Sequence, residues 1–543
     1  MNGLMMDASL TITSIMSHAE RVHGHKEIVS VTRDNPRHRY TYNDAFKRTR
    51  QLANGIAGWG LSRGDRIATL AWNDYRHFET YYASACSGYV CHTINPRLFP
   101  EQIVYIINHA EDQVVFVDAD FVPLVEAVAA QCPKVREWVV LTTKEHMPET
   151  TLDNVSCYED LVHSHSDVFE WPRLDENEAC ALCYTSGTTG NPKGVLYSHR
   201  STMLHAYATL MPDAMGLSSR DAVLPIVPMF HVNAWGTPYA CPMVGAKLVF
   251  PGNKMGDGET LAALINDEGV TMSAGVPTVW LGLLAYLKQS GMTVETLDRV
   301  IVGGAACPLS VMEDFDRYGV ETRVGWGMTE MSPLGSVNEC TASRAEYSEE
   351  GFAKQRLKAG KPIFGVEMKI VDDEGKELPW DGEAFGSLKV RGPWICSDYY
   401  DLGEDSSAHS EEGWFETGDV ATIDPTGYMA ITDRTKDVIK SGGEWISSID
   451  VENAATDHPK VAEAAVIGRY HPKWSERPLL VVVKGANGQD LTAEEMLAWF
   501  DGKIAKWWTP DAVEFVDELP HGATGKIHKV GLREQFKDYE FSA

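Results

Sequence analysis

One stretch of this 543-residue chain concentrates groups able to bind a polyphosphate. Tyr184-Thr-Ser-Gly-Thr-Thr-Gly-Asn-Pro-Lys-Gly194 holds four Ser/Thr hydroxyls, three glycines and a lysine in one loop. Glycines let backbone N–H groups turn inward, and hydroxyls with one ammonium add further donors, which a polyphosphate tail requires. A plain linker or hairpin uses the same residue types, but this loop is longer and more ordered in composition than a turn needs. A Walker-type P-loop is excluded by spacing: Lys193 lies three residues after Gly190 and is followed by Gly194, and no helix starts at that lysine.

The elements that must hold this loop are legible on either side. The apolar run Ala179–Cys183 reads as a strand, and Val195–Tyr197 as another. A helix begins only after Ser198, a suitable N-cap. The loop therefore joins two strands. Elsewhere, short β-rich runs alternate with longer helical ones, the pattern of parallel α/β units. Val114–Val117, Trp138–Leu141, Lys247–Phe250 and Val300–Val302 read as strands, and Tyr42–Gly58 and Glu259–Glu268 as helices. Near Gly365–Val390 the texture changes to alternating strands and turns, a small antiparallel barrel or sheet. Beyond Asp433–Lys436, Ile449–Ala455, Val461–Ile467, Leu479–Lys484, Ala493–Lys503 and Val513–Phe515 suggest a separate α+β unit.

Bulk composition sets limits. Apolar content of 44% and charged content of 23% are those of a globular protein. The length suggests about three to four compact units. With 48 basic against 77 acidic residues the formal charge is −29, which repels nucleic acid and anionic lipid. A site for a polyanion must overcome that field locally. No run of about 18 apolar residues is present. Met1–Leu10 lacks a basic start, so no secretory signal and a cytoplasmic location are expected. Cys180 and Cys183 have CxxC spacing but no second pair, and they lie in an apolar strand that points them to opposite faces. They read as buried reduced thiols.

Other candidates are unremarkable singly: His231, Trp235 and Trp326 suit a core, Glu330 and Asp419 a surface or cap, and Lys526 solvent. Their order along the chain changes the reading. The loop resembles the signature of the adenylate-forming superfamily, which holds acyl-CoA synthetases, peptide-synthetase adenylation domains and beetle luciferases. Seven further segments resemble its motifs in the same order. They are Pro228–Gly236, Gly303–Ala306 with Pro308, Gly325–Glu330, Trp414–Asp419, Asp433–Asp437, Lys440–Trp445 and Gly522–Ile527. Two departures stand out: Trp326 replaces a usual tyrosine, and His521-Gly522 a commoner basic-Thr pair. Neither removes a group the chemistry needs.

The resemblance implies an α/β fold. Its large N-terminal domain (1–433) holds two doubly wound α/β subdomains and a small β-barrel-like subdomain. A hinge (434–436) leads to a mobile α+β C-terminal domain (437–543). It implies an AMP-forming acyl-CoA synthetase using ATP, Mg²⁺ and coenzyme A. Thr185, Ser186, Gly187, Thr188, Thr189, Gly190 and Lys193 would hold the phosphates, and Thr185 and Glu330 the metal. Gly304, Ala305, Gly325, Trp326, Gly327, Thr329, Asp419, Arg434, Lys436 and Lys440 would complete the ATP site. His231, Val232, Trp235, Gly303 and Met328 would line the acid pocket. Lys440, Gly442, Gly443, Glu444 and Trp445 would face coenzyme A. Lys526, Glu330 and Lys436 would be catalytic, with Lys526 open to acetylation. The texture of Thr93–Phe99 and Lys440–Ser447 is closest to the medium- and long-chain fatty acyl-CoA synthetases. That implies a homodimer and, as best substrate, 3-(methylthio)propanoate, from dimethylsulfoniopropionate breakdown. A general short- or medium-chain fatty acid is the alternative. A carrier-protein-loading adenylation module is a remote one, because no carrier domain follows Lys526.

Overall fold

The computed structural model describes the chain apart from residues 2, 186–190, 340–343, 402–411, 435–436, 442–443, 522–526 and 542–543, and apart from the side chains of 444 and 445. The chain forms two compact units, one of residues 1–366 with 391–409, the other of residues 367–390 with 410–543.

The first unit contains two parallel-rich sheets. In the nine-stranded sheet, six parallel strands run in the order Glu321–Gly327, Arg299–Val302, Met272–Gly275, Ala222–Pro225, Lys247–Phe250 and Glu27–Ser30, with antiparallel strands at both edges. The seven-stranded sheet is parallel except where Ala179–Thr185 meets Lys193–Ser198. Residues from both sheets share one core with the helices Ile12–His23, Tyr42–Ala57, Tyr75–Cys86 and Thr237–Val244. All twelve residues of Tyr75–Cys86 are buried, so this helix lies in the interior.

Most expected elements appear within a residue of their sequence bounds: Val114–Asp118, Glu137–Leu141, Lys247–Phe250, Arg299–Val302, Tyr42–Ala57 and Gly258–Glu268. Ser198 caps His199–Leu210, its hydroxyl accepting the Ser201 N–H at 3.0 Å. Cys180 and Cys183 are buried free thiols with different partners, Thr202 and Thr93.

In the second unit, Glu367–Val371, Phe385–Arg391, Phe415–Ile423 and Met429–Arg434 form a four-stranded sheet, whose pairs from Phe385–Arg391 onward are antiparallel. A five-stranded sheet follows, built around the long hairpin Val461–His471 and Ser475–Lys484. One helix is shorter than expected: Ala493–Trp499 stops four residues before Lys503, where Gly502 takes a left-handed backbone (φ 73°) that a helix cannot continue.

Candidate functional site

The two strands that flank the phosphate-type loop pair antiparallel and run two residues further into it than expected, their last described pair being Thr185 opposite Lys193. Residues 186–190 lie outside the described residues. Beyond the lysine, Gly194 accepts the Tyr400 N–H at 2.8 Å. An added Cβ at Gly194 would meet Leu182, Tyr184 and Tyr400, each at 3.2 Å. The Lys193 ammonium stands 4.9 Å from the Tyr399 ring. The Tyr399 hydroxyl donates to Glu330 Oε1 at 2.7 Å. Burial first, then Glu330, pushes the Tyr399 pKa up, so it remains a neutral donor. Glu330 itself is 6% exposed. Its segment is pinned from two sides: Tyr197 donates to the Thr329 carbonyl at 2.6 Å, and Cys396 N–H to the Glu330 carbonyl at 2.8 Å. Lys193, Tyr399 and Glu330 thus form one contiguous group.

The second cluster surrounds Trp235. Strand Glu321–Gly327 carries Gly325, Trp326 and Gly327, and Arg299–Val302 delivers Gly303 beside it. A Cβ on Gly303 would lie 2.9 Å from Trp235 Cη2, so the indole rests on this glycine. Trp326 packs against Gly335, where an added Cβ would be 2.6 Å from its ring. Gly327 admits no side chain, since a Cβ would be 1.9 Å from the Pro333 carbonyl oxygen.

The backbone that presents Trp235 is unusual. Val232, Asn233, Ala234 and Trp235 have φ of 48°, 50°, 48° and 55°, and Gly236 follows at 79°. Four consecutive non-glycine residues make a left-handed turn, a conformation costing about 1–2 kcal/mol per residue, or roughly 4–8 kcal/mol together. Strain of this size persists only where the surroundings enforce it. Asn73, wholly buried, donates to the Pro225 and Val227 carbonyls at 2.9 Å each and accepts the Met229 N–H at 2.6 Å. The turn's exit is set by His205: a Cβ on Gly236 would lie 2.8 Å from its ring. Burial lowers the His205 pKa to about 3, so it is neutral and accepts the Leu334 N–H through Nε2 at 3.3 Å.

In the second unit Asp419 and Arg434 pair across adjacent strands, Nε to Oδ1 at 2.7 Å, with Asp419 3% exposed. Thr417 orients Asp419 by accepting its N–H through Oγ1 at 3.0 Å. Asp433 accepts the N–H of Ser448 at 2.7 Å, at the start of helix Ser448–Thr456. Arg533 pairs with Asp437. Lys436 between them lies outside the described residues, as do Gly442, Gly443 and Lys526. Lys440 and Glu444 belong to the paired strands Ile439–Ser441 and Glu444–Ile446.

Comparison with known proteins decides the family. An AMP-binding enzyme family matches residues 17–400, and the AMP-binding enzyme C-terminal domain matches residues 450–526. The chain belongs to the AMP-binding enzymes. Among curated relatives, a 3-methylmercaptopropionyl-CoA ligase of Ruegeria lacuscaerulensis is 52% identical over 539 residues, 99% of each chain. A medium-chain-fatty-acid–CoA ligase of Ectopseudomonas oleovorans is 50% identical over 539 residues, 99% of this chain and 98% of the relative. Among solved structures, the anthranilate CoA ligase AuaEII with anthranoyl-AMP superposes with a TM-score of 0.86 at 25% identity, covering 98% of both chains. ATP-bound MatB from Rhodopseudomonas palustris shares the fold at a TM-score of 0.83 and 24% identity, covering 98% of this chain and 99% of that one.

This AMP-binding enzyme brings together Thr185 with Lys193, Trp235 with Gly303, and Asp419 with Arg434. Gly304 and Ala305 are exposed at the end of Arg299–Val302, while His231, Trp326 and Met328 are half-buried. Sequence reasoning missed Tyr399, Asn73, Tyr81 and His205. Only Asn73, polar directly after the apolar stretch Ile67–Trp72, carries a local hint.

Proposed function

We propose that this enzyme condenses a short carboxylic acid with ATP to an acyl-adenylate and pyrophosphate, then transfers the acyl group to coenzyme A with release of AMP. The preferred acid in this reading is 3-(methylthio)propanoate. The observation that carries it is the Trp235 indole lying on Gly303, a short apolar wall that suits a thioether chain. Full-length similarity to ligases named for that acid supports it. A second reading, a medium-chain fatty acid, is favoured by the 50% identical Ectopseudomonas enzyme.

In the first half-reaction a carboxylate oxygen attacks the α-phosphorus as pyrophosphate departs, a step catalysed by positioning and charge stabilisation. Residues 185–190 and Lys193 hold the β- and γ-phosphates. Gly304, Ala305, Gly325, Trp326, Gly327 and Thr329 cradle the adenine side, Asp419 takes the ribose hydroxyls, and Arg434, Lys436 and Lys440 lie near the nucleotide. Lys526 bridges the carboxylate and α-phosphate. Glu330 and Thr185 would supply hard oxygens, a donor type that fits Mg²⁺. Among the described residues no group of three or more His, Cys, Asp or Glu could cage a metal alone. When bound, the ion neutralises phosphate charge.

In the second half-reaction the CoA thiol attacks the acyl carbonyl and AMP leaves. We place the hinge at Lys436, between domains of residues 1–433 and 437–543. Rotation there withdraws Lys526 and brings Gly442, Gly443, Glu444 and Trp445 to the pantetheine. The active form is a cytoplasmic homodimer, and acetylation of Lys526 silences it by removing the charge.

The test is ATP- and CoA-dependent thioester formation across acetate, butyrate, hexanoate, laurate, benzoate and 3-(methylthio)propanoate. Highest kcat/KM for the thioether acid supports the first reading, and a response rising with alkyl length supports the second. Lys526→Ala should lose adenylation yet still convert supplied acyl-adenylate. Equal loss of both halves would refute a role of Lys526 confined to the first step, and retained adenylation would remove it from that step.

A further inference from the structure

We infer that Tyr81 is a positioning residue for acid selection, acting on the pocket through the left-handed turn that presents Trp235. The inference rests on the reading of Trp235 as a wall of the acid pocket.

Tyr81 lies on the wholly buried helix Tyr75–Cys86. Its hydroxyl donates to the Met229 carbonyl and stands 3.2 Å from the Asn233 side-chain amide. Met229 precedes the turn and Asn233 lies within it, so one hydroxyl spans the turn's entry and its middle. Ahead of the turn, the His231 and Ala234 N–H groups both reach the Pro228 carbonyl, at 3.1 and 3.2 Å, which ties the turn to the segment Tyr81 holds. Nothing intrinsic to Val232, Asn233, Ala234 and Trp235 holds a positive φ in all four. Burial keeps the Tyr81 hydroxyl protonated and a donor. If Asn233 relaxes toward a right-handed backbone, Trp235 leaves Gly303 and the pocket lengthens. Tyr81 therefore influences which acid fits without touching it.

The adjacent Tyr82 is a matched control. It is equally buried on the same helix, but its hydroxyl donates to the Pro238 carbonyl at 2.8 Å, in the helix after the turn. Tyr81→Phe, Tyr82→Phe, Asn233→Ala, Trp235→Ala and the Tyr81→Phe/Trp235→Ala double variant are compared by acid-dependent pyrophosphate exchange over acids of increasing length, with Tm measured for each. Tyr81→Phe should raise KM for the preferred acid about tenfold and flatten the length preference, with KM for ATP changed less than about twofold. Asn233→Ala should do the same from the turn's side. Tyr82→Phe should lower Tm comparably while leaving the preference intact. In the Trp235→Ala background, Tyr81→Phe should add less than about twofold, since its effect passes through the indole. Equal flattening by Tyr82→Phe, or full additivity with Trp235→Ala, would overturn the inference. A shift in preference from Trp235→Ala but from neither Tyr81→Phe nor Asn233→Ala sinks the inference alone. No shift from Trp235→Ala sinks the acid-pocket reading with it.

Discussion

Gly303→Ala probes the proposed acid pocket with one added methyl. The new Cβ would stand 2.9 Å from both Trp235 Cη2 and the Gly325 carbonyl oxygen, and 3.3 Å from Trp235 Cζ2, against an ordinary contact of 3.4–4 Å. The carbonyl cannot retreat, because its strand is bonded on both sides, to Arg299–Val302 and to Leu334–Asn338. The indole must therefore yield by about half an ångström or more, at an overpacking cost of about 1–3 kcal/mol. The pocket loses room for roughly one methylene, which in an apolar site discriminates by about 1–3 kcal/mol, or ~10–100-fold. Steady-state kinetics over acetate, propanoate, butyrate, hexanoate and 3-(methylthio)propanoate should show kcat/KM falling by about that factor for the longer acids. Acetate and propanoate should be spared, and KM for ATP should move less than about twofold. A uniform fall across the series with unchanged Tm, or no fall for the longer acids, would refute the placement of Trp235 and Gly303 in the acid pocket.

Three further outcomes follow from the same geometry. Glu330→Gln keeps the shape but removes the charge, and should cut acid-dependent pyrophosphate exchange by about 10²-fold or more. Tyr399→Phe should cost far less, and near-normal exchange in Glu330→Gln would exclude the proposed role. Asp419→Asn weakens the pairing with Arg434 at 2.7 Å and should raise KM for ATP by about 10–100-fold, the value of one or two charged hydrogen bonds. An unchanged KM for ATP counts against Asp419 as ribose ligand. The last concerns pH: burial first, then the nearby Asp74, pushes Asp118 up to about 8. The folded form retains a proton that the unfolded chain has lost above about pH 4, so this group's contribution falls as pH rises from about 4 to about 8. Asp118→Asn can still accept the Asp120 N–H, bonded at 3.1 Å. It should raise Tm, with a gain that grows across this window. A gain no larger at its top than at its foot would show that the proton is not held.

What was legible in the sequence, and what was not, divides by the distance along the chain over which each feature is decided. The strand before the phosphate-type loop, the strand after it and the Ser198 cap depend on neighbours a few residues away and could be read directly, although the strands run two residues further into the loop, to Thr185 and from Lys193. Helix Tyr75–Cys86 could not be read as interior. Its Arg76 and Glu79 suggest a wet face, yet both are buried because Arg76 meets Asp34 and Glu159, and Glu79 meets Arg48 and Tyr158. Those partners come from other elements. Glu330 was legible as a candidate, but Tyr399, 69 residues away, was not. The turn at Val232–Trp235 is the extreme case. Local preference opposes a positive φ at valine and tryptophan, and contacts of Asn73, Tyr81 and His205 surround it. Groups that bind phosphate are an inventory of residue types and appear in sequence as such. The shape of an acid pocket is set by how distant elements press on one another, so relatives 50% and 52% identical can carry different substrate names. Acid preference is therefore where sequence resemblance is weakest and where measurements on Tyr81, Trp235 and Gly303 decide most.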